Sequence, residues 1–205
     1  MVKTKEENTE NKILEAAKRI FQQKGLFGAR MQEIADEAGI NKALLHYYFR
    51  SKDLLFEAVF TQAIGMMAPK IDNLLNSDQP LEDKIRHISE QYITFLSKHP
   101  YLPNFVFHEL NRNPKFLEKM ALQEKLPGLD GLKRQLDQLI AEGKIIPISA
   151  EQLFINILSL NVFPFIGKPL LKVVTKSSEE DFKALIEERK VFIADFIMNA
   201  ITVKS

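Results

Sequence analysis

Cysteine is absent from this 205-residue chain, and glycine is scarce, with 8 residues. Without thiols there can be no disulfide, no thiolate nucleophile, no cysteine-ligated zinc and no iron-sulfur cluster, which suits the reducing cytoplasm where the chain is expected to work. An apolar leader is missing too: the first residues, "MVKTKEENTENK", are polar and mixed in charge, so no export is expected. The longest uncharged stretch, "LFINILSLNVFPFIG" from Leu153 to Gly167, is shorter than the roughly 20 residues of a spanning helix and contains Pro164, so it is read as a buried helix and no membrane partner is expected. Sequence signals for catalysis are lacking as well. His46, His87, His99 and His108 are scattered without a paired helical spacing, and no glycine-rich phosphate loop or nucleophile elbow occurs. The expectation is therefore no metal, no cofactor and no catalytic residue.

What is present is the composition of an ordinary globular protein, 45% hydrophobic and 27% charged, with a net charge of only +1. Apolar residues recur at three- and four-residue intervals almost everywhere, and strand-like alternation is nowhere sustained, so the fold class is all-α, with about nine helices. A first helix is expected from about Thr9 to Lys24, stopped by Gly25. A second follows from about Met31 to Ala38, and a third from about Asn41 to Phe49. Ser51 is the expected N-cap of a fourth, which Pro69 should kink or end. Further on, Asp78 and Pro80 open a helix that Pro100 closes, and Pro114 starts one that Pro127 and Gly128 interrupt. The "EGKIIPIS" connection leads to Ser149 and Gln152 as one capping box, and Ser177 with Glu180 as another. Residues 1–52 are assigned to an N-terminal domain and 53–205 to a larger helical one, joined through the fourth helix rather than a flexible linker.

Charge distribution says more than the total. From Ala38 to Lys52 the only charges are Lys42, Arg50 and Lys52, a local excess that points to a localised anionic partner. The same region holds "MQEIADEAGINKALLHYYF", in which Ala35, Gly39 and Leu45 fall at the spacing of a helix-turn-helix. A small residue lets the helices cross, glycine makes the turn and an apolar residue locks the second helix. Spacing alone leaves an ordinary αα-corner equally open. Projected at about 100° per residue, the third helix turns Leu45, Phe49 and Tyr48 one way and Ala43, Tyr47 and Arg50 the other, with His46 to one side.

On these residues the chain resembles the TetR family of transcriptional regulators. The match runs through "ILEAAKRIFQQKGLFGARMQEIADEAGINKALLHYYFRSKDLL", with "KGLFGA", "IADEAGI" and "YYFRSKDLL" all in register. The resemblance implies a three-helix helix-turn-helix DNA-binding domain, followed by a ligand-binding and dimerisation domain. It implies a homodimer, a palindromic double-stranded operator and a small-molecule effector, most often with repression. The DNA-facing residues it implies are Arg30, Met31, Asn41, Lys42, Ala43, Leu44, His46, Tyr47, Tyr48 and Lys52. Arg30 stands where the family commonly caps the second helix with threonine, and His46 where it often has tyrosine. Ala43 and Leu44 replace the frequent glycine and threonine.

Beyond the first fifty residues the resemblance is one of layout. Apolar residues on the last two helices, among them Leu153, Phe154, Ile157, Leu158, Leu160, Phe182, Leu185, Phe192 and Phe196, exceed what one buried stripe needs, and a four-helix pairing of two copies would cover the surplus. Candidate lining for an apolar effector is Met66, Met67, Phe95, Phe105, Phe107, Phe116 and Met120, with His108 and Glu109 as polar anchors, although such stripes more often pack as core. The alternative is an all-helical ligand-binding protein or enzyme without DNA binding.

Overall fold

The structure is a computed structural model that describes residues 2–100, 102–112, 118 and 126–204. Eleven helices and no strand occur among them: α1 Val2–Gly28, α2 Met31–Ala38, α3 Lys42–Tyr48, α4 Lys52–Gly65, α5 Ala68–Leu75, α6 Leu81–Lys98, α7 Leu102–Arg112, α8 Asp130–Ala141, α9 Ala150–Ile166, α10 Lys168–Thr175 and α11 Glu179–Ile201. The all-α class is as expected. The helix number exceeds nine because the chain breaks at Met66–Met67 and again at Gly167. Pro69 lies in the first turn of α5, where a missing N–H costs nothing.

The chain divides into two compact units, Met1–Met66 with Phe105–Arg112, and Met67–Asn104 with Asn113–Ser205. In the first, α1 packs on α2 and α4, and α2 on α3. Ile13, Ala16, Ala17, Ile20 and Phe21 recur at helical spacing and supply the buried stripe of α1. Phe21 meets Phe56 edge to face at 5.0 Å, and Phe105 sits 5.6 Å from Phe56 and 5.9 Å from Phe60. The helical path of α1 begins well before Thr9. Its break falls where expected, at Gly25, whose φ of 64° is open to glycine and strained for other residues.

In the second unit α6 is the central helix, packed on α5, α9 and α11. Ile85, Ile88 and Ile93 of α6 join Leu153 and Ile157 of α9 and Ile186, Ile193 and Ile197 of α11 in one core. Three polar devices fix this unit. The fully buried Lys84 donates to the carbonyls of Leu75 (3.0 Å) and Ser77 (2.9 Å), so an ammonium closes the end of α5, and burial pushes its pKa down against the attraction of Asp78. Asn76 accepts from the Gly131 N–H (2.8 Å) and Asp72 from the Gly128 N–H (2.8 Å), which ties the approach to α8 onto α5. At Gly131 the backbones come so close that an added Cβ would lie 2.6 Å from Asn76 Cα.

The sequence-based caps are partly corrected. Ser149 Oγ accepts from Gln152 N (3.2 Å) as a simple N-cap. The other box sits one residue later than expected, on Ser178 and Asp181, with both reciprocal bonds present (3.1 and 3.0 Å). Ser177 instead closes α10, its N–H on Lys172 O and its hydroxyl 2.7 Å from Thr175 Oγ1. The expected buried helix at Leu153–Gly167 is buried on one side only: Ile155 and Phe163 are about half exposed. By length and composition residues 52–75 could cross a membrane, but the helix breaks within that stretch and 44% of the apolar window is buried in the protein.

Candidate nucleic-acid interface

The site is built on a turn. Gly39, at φ 67°, ends α2 in the left-handed conformation, its N–H bonding Asp36 O (3.1 Å) while Ile40 N–H reaches back to Ala35 O (3.0 Å). Those two bonds satisfy carbonyls that a helix end would otherwise leave open, and they set the direction in which α3 departs. Asn41 then caps α3, its Oδ1 accepting from Leu44 N at 2.8 Å. Leu45 is fully buried and Phe49 nearly so, and together they hold the seven-residue α3 on its scaffold. Ser51 restarts the chain as N-cap of α4, accepting from Leu54 N at 3.2 Å.

What remains of α3 faces outward. Lys42, Ala43, Leu44, His46 and Tyr47 are all exposed, Tyr48 is half-buried, and Arg50 lies exposed just past the helix. Tyr47 is 76% exposed, yet its ring is braced edge to face on Tyr48 with centroids 5.5 Å apart. The helical projection agrees with the buried Leu45 and the exposed Ala43 and Tyr47, while Tyr48, expected to face inward, is half-buried.

Electrostatics sharpen this face. On α2, Glu37 pairs with Arg19 at 2.7 Å and Glu33 with Lys24 at 2.9 Å, so these acids are turned to α1. The Lys24 ammonium bonded to Glu33 holds that carboxyl below its usual range. Arg30, Lys42 and Arg50 carry no ion pair among the described residues, and no acid lies between Glu37 and Asp53. The result is an acid-free cationic strip around an exposed tyrosine on one short helix, suited to phosphates at its edges and base edges at its centre.

Two residues of the expected set have a further role. Arg30 has no acceptor and cannot cap α2; Glu33 supplies half a box by accepting from the Arg30 N–H at 3.3 Å, which leaves the exposed guanidinium unused. Lys52 is turned inward. Its ammonium donates to Ala29 O (3.0 Å) and Phe27 O (3.4 Å), clamping the start of α4 to the turn before α2. Met31, half-buried, begins α2 beside that turn. Sequence reasoning missed the large exposure of Phe27, whose one signal is that it joins no helical stripe in "KGLFGA".

The expected effector residues are dispersed over the two units. Phe105 is packed with Phe56 and Phe60 in the first, where Met66 and Phe107 are exposed. Met67 and Phe95 belong to the core of the second. His108 and Glu109 lie on α7, but their side chains fall outside what is described, as do Phe116 and Met120 altogether.

Two short helices crossing at a glycine turn, the second presenting an acid-free polar face, define a helix-turn-helix DNA-binding regulator. Residues 13–59 match the family model of bacterial regulatory proteins, tetR family. The chain is similar, at 22% identity over 196 residues, to the probable HTH-type transcriptional regulator YttP of Bacillus subtilis (strain 168), covering 91% of this chain and 92% of that one. It is 27% identical over 136 residues to the HTH-type transcriptional repressor NicS of Pseudomonas putida, covering 63% of this chain and 54% of NicS. Among solved structures, a mutant of HlyIIR aligns with a TM-score of 0.67 and 25% identity over 97% of this chain and 100% of that one. Residues 13–59 are thus similar to the bacterial regulatory proteins of the tetR family, and over most of its length the chain is similar to transcriptional regulators.

Proposed function

We propose that the protein is a homodimeric repressor that binds a palindromic operator through α3 and is released by an apolar small molecule. The observation that carries the DNA contact is the face of α3: exposed Lys42, His46 and Tyr47, continued by Arg50, with Leu45 and Phe49 buried behind. Ala43 lets the helix approach the groove floor, and Leu44 stands ready for a thymine methyl. Asn41, Tyr48, Arg30 and Met31 flank this contact. In a dimer the two α3 helices would enter successive major grooves about 34 Å apart. The 1–52 segment is the reading head in this proposal, and residues 53–205 pair and sense.

Support for pairing comes from α9 and α11. Leu153, Ile157, Phe182, Ile186, Ile193 and Ile197 fill the chain's own core, which leaves Ile155, Phe163, Leu185, Phe192 and Phe196 substantially exposed. Phe192 and Phe196 stack at 5.8 Å on the outside of α11. Such a patch is ordinarily covered by a partner. Repression is supported by the kinship with NicS, named a repressor, and the cytoplasm is where chromosomal DNA is met.

The test is a duplex selected from a randomised library, titrated by fluorescence anisotropy. Lys42→Ala and Tyr47→Ala should each weaken binding by about tenfold or more while sedimentation shows the dimer intact. Unchanged affinity in both variants would remove α3 as the reading surface.

A further inference from the structure

In the second unit a hollow of about 280 Å³ opens between α9, α10 and α11. Its wall is largely apolar, with Phe163, Phe182 and Leu185 prominent, and its one charged lining residue is Arg189. The reason an arginine stands there begins with Pro164. A proline inside α9 has no N–H to give the carbonyl four residues back, so Leu160 O is left open. Arg189 Nη2 fills that gap at 2.7 Å.

This bond fixes the guanidinium and uses one of its five donors. Nε is buried and has no partner. Among the described residues no acid lines the hollow, and burial pushes the Arg189 pKa down. Glu179, at the start of α11, is held by Lys168 and Lys172 instead. A cation that is oriented, partly dehydrated and without a counter-ion, set in an apolar wall, is built for an anionic head on an apolar tail.

We propose that this hollow binds a small amphipathic carboxylate of the medium-chain fatty-acid type, its carboxylate on Arg189 and its chain along Phe163 and Phe182. The hollow is lined within one chain but lies beside the face proposed to pair: Phe163 and Leu185 belong to both, and Arg189 follows Leu185 by one helical turn on α11.

Octanoate and 1-octanol, titrated calorimetrically into the full-length protein, test the headgroup. Octanoate should bind, with 1-octanol weaker by about tenfold or more. Arg189→Gln, which keeps a polar head but removes the charge, should lose octanoate by a similar factor, whereas Arg189→Lys, which keeps the charge, should lose less. Equal binding of the acid and the alcohol, undiminished binding to Arg189→Gln, or no binding of octanoate to the wild type overturns the proposal. If Arg189→Gln does not fold, the comparison of acid with alcohol on the wild type decides. Sedimentation velocity on the same samples reads the pairing separately: a monomer that still prefers octanoate supports the site and refutes only the pairing.

Discussion

Lys42 and Lys52 are ten residues apart in one basic segment, yet the structure gives their ammonium groups different tasks, and salt dependence separates them. Lys42 is exposed and carries no ion pair among the described residues, so in the complex it is free to neutralise a phosphate. Lys52 already donates to Ala29 O and Phe27 O. Each phosphate neutralised contributes about 0.9 to the slope of log K against log salt, so Lys42→Met in both copies of a dimer should flatten that slope by about 1.8. Between about 50 and about 200 mM salt, that removes roughly a twelvefold dependence of affinity on salt. Lys52→Met keeps the stem and loses the clamp. It should lower the thermal stability of the head by about 1–2 kcal/mol, discounted for partial exposure, and weaken binding at every salt concentration. Its slope should move by less than half as much as that of Lys42→Met. Anisotropy titrations across the salt range, with circular dichroism melts of the same variants, provide both readings. A slope for Lys52→Met as flat as that for Lys42→Met, with unchanged melting, would refute the clamp and make Lys52 a phosphate ligand.

The two glycine-to-alanine changes below should have opposite signs. Gly131→Ala places a Cβ 2.6 Å from the Asn76 backbone, so despite the better helix propensity of alanine it should destabilise by about 1–3 kcal/mol, read by chemical unfolding at fixed protein concentration. Gly65→Ala meets no atom within 4 Å and lies in the last turn of α4, so it should be neutral or stabilise by up to about 1 kcal/mol; a loss of stability there would contradict the open space seen. Glu179 has its pKa lowered to about 2 by the hydrogen bonds from Lys168 and Lys172. A depressed acid stabilises the folded state above its unfolded value near 4.5 and loses that contribution as pH falls through about 2, so the α10–α11 connection should loosen in that acid window, observable in the amide signals of α10, and Glu179→Gln should abolish the dependence.

How far such features are legible depends on whether their cause is local. Ser51 and Gly39 could be placed from sequence because each acts on backbone within five residues, and Leu45 and Phe49 because helical periodicity alone sorts them from Tyr47. The shifted cap at Ser178 shows where this fails: two adjacent serines are equivalent candidates until α10, unforeseen in the sequence, claims the first for its own end. Lys52 is part of a basic run in sequence, but its acceptors lie 23 and 25 residues away. Pro164 argues against a continuous α9 until Arg189, on another helix, supplies the missing donor. Gly131 carries no local sign of its contact with Asn76. For Lys52, Pro164 and Gly131 alike, the deciding partner is distant in sequence.

Pairing Glu33 and Glu37 with cations of α1 also bears on how the protein searches a chromosome. In a chain whose charges nearly balance, the strip around α3 is left locally positive because the neighbouring Glu33 and Glu37 are neutralised by cations of α1. With α3 as the proposed reading surface, the small net charge predicts weak long-range attraction to bulk DNA and retention only of a molecule that arrives with α3 against a groove. Most random encounters end quickly, so the population stays largely unbound between targets and few copies are sequestered on irrelevant sequence. A regulator arranged this way can respond at low copy number, because its occupancy is governed by the fit of one small helix rather than by competition with the rest of the genome.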